Sequence, residues 1–222
     1  MIALITGAIS IAASICTTVG STLGSAGVLI AKAATTIAPY VDKISSVLNT
    51  IGSLLNILMP NDKPENFGEA MRQASKKPED FGDMKSYMGY LRDEIDNGNV
   101  DLNVERGEED KLANQFMGYG LLLQCINEKY GISQDSNAFW GTMGSKIENE
   151  KVTPEEVLSI ADKIGQSEIS SEDVSNYIEG NDISSGASKR EVSDVIESGL
   201  QSANPDMSSD EISAKFNELI KE

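Results

Sequence analysis

"KVTPEEVLSIADKIGQSEISSEDVSNYIEG" (151–180) contains two helix starts written in one grammar. Thr153 and Ser170 each stand where a side-chain oxygen can take a free backbone N–H of a first helical turn. An acid follows three residues on, Glu156 or Asp173, and an aliphatic residue comes next, Val157 or Val174. This is the reciprocal capping box, in which hydroxyl and carboxylate each satisfy one otherwise orphaned backbone donor. "ASKREV" (187–192) and "MSSDEI" (207–212) repeat it. Val152, Ile169 and Met207 also stand where a hydrophobic staple would meet Val157, Val174 and Ile212. Short capped helices are therefore expected throughout 153–222. Glu156, Asp173, Glu191 and Glu211 are accounted for as structural acids.

Upstream, "EEDKLANQFMGYGLLLQCINEKYG" (108–131) opens with acids suited to a helix N-terminus and turns Leu112, Phe116, Leu123, Ile126 and Tyr130 toward a core. "DFGDMKSYMGYLRDEIDNG" (80–98) reads as a helix through Phe81, Met84, Met88, Leu91 and Ile95. Between 61 and 80 lies a hinge in which "KPENFGEAM" (63–71) is echoed by "KPEDFGDM" (77–84). The duplication is too short for a solenoid and repeats helix-start chemistry.

The first sixty residues differ in kind. They contain only Lys32, Asp42 and Lys43, a net of +1 against −17 for the whole chain, so −18 falls on the remainder. From Met1 to Ala31 nothing is charged, and about 20 apolar residues suffice for a membrane span. Small residues recur at spacings of three and four, among them Gly7, Ser14 and Gly24. With Gly20 and Gly27 they form a face that lets another backbone come close, and "GSTLG" (20–24) is a GxxxG. Ile2, Ile5, Ile9, Val19 and Leu23 form a bulkier stripe facing lipid or a partner. The glycines at 20, 24 and 27 weaken a continuous helix, so residues 1–38 are one long helix or a hairpin. "YVDKISSVLNTIGSLLNILMP" (40–60) then repeats apolar residues from Val41 to Leu58 as an amphipathic helix with an almost uncharged polar face.

The expected fold is all-α: an apolar, small-residue-rich N-terminal helical hairpin or long helix plus an amphipathic helix, followed by an acidic bundle of short capped helices. The expected domains are 1–60, a membrane-interacting or self-assembling unit; 61–80, the hinge; and 81–222, the acidic bundle.

Composition prunes function. No histidine is present, which removes His-based triads and His-ligated metals; the two cysteines, Cys16 and Cys125, are expected as small buried hydrophobes. "DNGNVDLN" (96–103) lacks the acid spacing of a calcium loop, and "GTMGSK" (141–146) lacks the spacing of a phosphate loop. No catalytic residue, metal or cofactor is expected, and an acidic surface repels nucleic acid. In arrangement, residues 2–58 resemble glycine-zipper effectors and toxins that bacteria secrete without Sec signals. That resemblance implies a non-enzymatic membrane-inserting or permeabilising protein with membrane lipid as partner, working as a homo-oligomer. The acidic bundle would then solubilise it or bind a basic protein partner. Met1 leads into the apolar run with no Lys or Arg before it, so membrane association or non-Sec secretion is expected, with no cleavable signal peptide. The alternative is a structural or adaptor protein whose apolar helices mediate self-assembly or docking to a protein.

Overall fold

The computed structural model describes residues 16, 18–20, 22–38, 41–133 and 136–221. Among them are ten α-helices and one 3-10 helix with no strand, the all-α class expected from the sequence. In chain order they are α1 (Ser25–Ile37), α2 (Val41–Leu54), α3 (Pro64–Gln73), the 3-10 turn η1 (Pro78–Asp80), α4 (Met84–Asp96) and α5 (Glu108–Tyr130). Then come α6 (Asn137–Glu148), α7 (Pro154–Gly165), α8 (Ser171–Ile178), α9 (Lys189–Ala203) and α10 (Ser209–Ile220).

The chain forms two compact units that interleave along the sequence. The first gathers the chain up to Val41 with Gly52–Glu128; the second gathers Asp42–Ile51 with Lys129–Glu222. Helix α2 passes from the second unit to the first at Gly52, and α5 passes from the first to the second at Lys129.

In the first unit α5 is buried along nearly all of Ala113–Asn127 rather than on one face. A helix covered on all sides needs neighbours at close range, and glycine provides it. A Cβ on Gly68 of α3 would run into the Asn114 backbone, and one on Gly118 of α5 would run into the Pro64 backbone. A Cβ on Gly120 would lie 2.5 Å from the Ile30 carbonyl oxygen and 3.2 Å from the Ala34 Cβ of α1. Helices α3 and α4 pack together, with Phe67, Met71, Tyr87 and Leu91 fully buried. Helix α2 ends at Leu54, earlier than the apolar repeat suggests. Asn56 takes φ 51°, and the Gly52 carbonyl accepts from the N–H groups of both Ile57 and Leu58, which turns Leu58 back under the helix. Phe81 likewise precedes α4, whose N-cap is Asp83, accepting from the Ser86 N–H at 2.7 Å.

In the second unit α7 packs on α9 and α6 on α8, with α10 against α9. Gly199 lets α9 approach the backbone of Ile160 in α7. The caps come from the residues the sequence points to: Thr153, Ser188 and Ser208 each form a complete capping box with Glu156, Glu191 and Glu211. Ser170 caps α8, but Asp173 does not close a box. Its carboxylate accepts from the Ser170 hydroxyl at 2.7 Å and from the N–H groups of Ser184 and Ser185, anchoring the loop after α8. Met207 is 37% exposed, so the staple expected there contributes little burial.

Candidate functional site: the bend at Gly24 and its supports

Backbone conformation decides this site first. Gly24 has φ 91°, in the left-handed region where L side chains are strained, and it caps α1 without a side chain to offer. Before it residues 18–20 and 22 are helical, with the Leu23 N–H donating to the Val19 and Gly20 carbonyls and the Thr22 hydroxyl to Val19 O at 2.7 Å. After it α1 begins. The missing cap arrives from elsewhere in the unit: Glu79, on η1, accepts from the Ala26 N–H at 2.7 Å and from the Ser25 hydroxyl at 3.3 Å. A carboxylate there also meets the positive end of the helix. A Cβ on Gly24 would press on that carboxylate.

Two glycines face each other across the bend. A Cβ on Gly20 would run into the Ala31 side chain and the Gly27 carbonyl, and a Cβ on Gly27 would lie 2.9 Å from Gly20 O. Both are buried, Gly24 is exposed, Leu23 is buried and Val19 is half-buried. Gly7, Ser14, Ile2, Ile5 and Ile9 lie outside the described residues. Leu23, Ile30, Ala31, Ala33, Ala34 and Ile37 are each at most 2% exposed. Val28 and Leu29, on the opposite side of α1, are 46% and 36% exposed.

Cys16 is fully buried, its thiol donating to the Ala113 carbonyl of α5 at 3.4 Å. Burial pushes its pKa up to about 12, outweighing the pull of the Arg72 charge. Cys125 is also buried and pushed up to about 12 by burial, with Glu128 and Asp83 adding to it. A thiol must ionise to act as a nucleophile, so neither is reactive as placed.

The more buried charged groups of the first unit pair with one another. Glu69, buried on α3, accepts from Arg106 at 2.7 and 3.0 Å, from Gln73 at 2.6 Å and from Asn114 at 2.8 Å. Burial alone would raise its pKa, but these hydrogen bonds together hold it below the ordinary value of 4.5. Gln73 exchanges hydrogen bonds with the Asp101 backbone, so the α4–α5 loop is pinned to α3. Nearby, Arg92 grips Asp62 through Nε and Nη2, reaches the Ile57 carbonyl and lies over the Phe67 ring at 5.7 Å. The cleft these residues line, about 260 Å³ with Met59, Ile95 and Asp96, therefore has its guanidinium already spoken for by a carboxylate. In the second unit Thr142 donates to Glu179 at 2.6 Å and lies 2.7 Å from the Ser175 hydroxyl, a closed hydroxyl–carboxylate contact between α6 and α8.

Among the described residues no group of three His, Cys, Asp or Glu is arranged to hold a metal, and no helix is long and apolar enough to cross a membrane. No protein-family model, curated protein or solved structure matches this chain. Glu79 is the site residue that sequence reasoning missed. The signal was present in the "KPE" duplication, where Glu65 and Glu79 hold equivalent positions and only the second caps another helix.

Proposed function

We propose that this protein works without catalysis, as a structural or adaptor protein whose apolar N-terminal third docks onto a further copy of the chain or onto a partner. One observation supports this reading above others. The buried face of α1 packs against protein, with Ile30 and Ala34 close to Gly120 of α5. An apolar segment that finds helix partners within its own fold is suited to finding them in an assembly, since small residues favour close backbone approach in either setting. The acidic remainder keeps such a protein soluble and favours basic partners.

A second reading, insertion into or permeabilisation of a membrane as an oligomer, is favoured by the uncharged run from Met1 to Ala31 with its small-residue face. The two are separated by behaviour with and without lipid. The full chain is sized by light scattering in buffer, digested with protease, and mixed with dye-loaded vesicles. A discrete oligomer with residues 16–59 protected and no dye release is the expected result. Dye release together with vesicle flotation would replace the first reading with the second.

A further inference from the structure

We infer that the rings of Phe81 and Tyr90 form a seat for an arginine side chain of a basic partner protein, and that Lys76 fills this seat while the protein is alone. The inference deepens the preference for basic partners stated above and rests on that reading, but it places the contact in the "KPE" duplication and not in the apolar third.

The two repeats supply the comparison. "KPENF" (63–67) and "KPEDF" (77–81) put a phenylalanine at the same position, Phe67 and Phe81, and a cation lies over each ring. Over Phe67 the cation is Arg92, at 5.7 Å; its guanidinium is held by the Asp62 carboxylate, and Phe67 is fully buried. That seat is closed. Over Phe81 the cation is the Lys76 ammonium, at 5.8 Å, and the same ammonium lies 5.3 Å from the Tyr90 ring. Lys76 is exposed, both rings are half-buried, and among the described residues no carboxylate forms an ion pair with this ammonium. A lone ammonium over an exposed ring is weakly held. A planar, less strongly hydrated guanidinium stacks better on the same surface and displaces it.

The seat is built before any partner arrives. The Phe81 and Tyr90 centroids are 5.3 Å apart, and the fully buried Tyr87 ring lies against both, at 5.4 and 6.4 Å. The Tyr90 hydroxyl accepts from the Lys76 N–H at 3.4 Å, which ties the ring to the second repeat. The approach is open. A Cβ added at Gly82 or Gly89, which adjoin Phe81 and Tyr90 in the chain, would meet no atom within 4 Å. Gly89 lies inside α4, where glycine weakens a helix, and no neighbour among the described residues requires it. Glu79, Asp80 and Asp83, all exposed, flank Phe81 in the chain and supply the negative potential that draws a cation.

The experiment follows the fluorescence anisotropy of a fluorescein-labelled nona-arginine peptide titrated with the full-length protein. Lys76→Ala empties the seat and is expected to tighten binding about threefold, the range of an exposed contact between a cation and a ring. Lys111→Ala removes an equal charge from the same unit and should change binding much less. Nona-arginine should bind the native protein more tightly than nona-lysine, and the difference should vanish when Phe81→Leu and Tyr90→Leu are combined. If that double variant fails to fold by circular dichroism, the ratio of Lys76→Ala to Lys111→Ala decides alone. Equal tightening by Lys76→Ala and Lys111→Ala overturns the seat and leaves the preference for basic partners standing. No binding of either peptide overturns both.

Discussion

The two units hold their helices by different mixtures of means. In the second, stability draws on local closures, a Ser or Thr with an acid three residues later at three helix starts, beside glycine crossings at Gly199 and Gly165. In the first, it depends on backbone meeting backbone across long sequence separations, as at Gly68 with Asn114 and Gly118 with Pro64. Local caps are additive and forgiving, each contributing about 1 kcal/mol. Glycine crossings are steric and unforgiving, because the atom in the way is backbone and cannot rotate aside.

The largest expected effect therefore falls on a glycine. Gly118→Leu should cost about 3 kcal/mol or more, at the severe end of overpacking, and lower the urea midpoint of the first unit. A tolerated leucine would break the comparison. Next comes the buried acid. Arg106→Ala leaves Glu69 with neutral donors only and should cost about 2 kcal/mol, while Glu69→Gln should cost less because no buried charge is stranded. The same pair carries a pH dependence. Glu69 is held below 4.5 in the folded state, so its stabilisation is present above that value and is lost as pH falls through the folded pKa. Urea midpoints measured from pH 6 down to pH 3 should fall less steeply in Glu69→Gln than in the native protein.

Ser188→Ala should cost about 1 kcal/mol and fray α9, read as faster amide exchange in its first turn. Helix α7, with its own capping box, should be unaffected at its N-terminus. An opposite sign is expected at Gln124. This side chain is fully buried in α5 with no hydrogen-bond partner for either amide atom among the described residues. Gln124→Met removes that unsatisfied pair and should stabilise by about 1 kcal/mol, raising the thermal midpoint. Least of all, Lys111→Ala, which breaks the exposed contact with Glu108, should leave stability within error.

This division also explains what could be read in the sequence. Thr153, Ser170, Ser188 and Ser208 could be named as caps because hydroxyl, acid and aliphatic stand at fixed short offsets. The all-α class follows from those caps and the helical periods around them. The surroundings of α5 could not be read. Leu112, Phe116, Leu123 and Ile126 indicate one apolar face, while Asn114, Gln124 and Asn127 suggest a wet one, yet all three polar residues are buried. Their burial is set by neighbours far off in sequence. Gly20, Gly24 and Gly27 were singled out together for close packing, but nothing in their spacing separates a glycine that receives a neighbour from one that turns the chain. Gly20 and Gly27 lie against each other, whereas Gly24 carries the positive φ and meets the carboxylate of Glu79.

The interleaving of the units bears on how the protein is made. Asp42–Ile51 leaves the ribosome early, but the rest of its unit begins at Lys129, after all of Gly52–Glu128 has been synthesised. At roughly 5–20 residues per second, that interval is about 4–15 s. Through it, buried positions such as Val47, Leu48 and Ile51 wait without their native neighbours. For those seconds the apolar residues of this segment stay exposed on the nascent chain until the rest of their unit is made. A chain begun at Asn61 would lack the segment altogether, leaving the second unit incomplete.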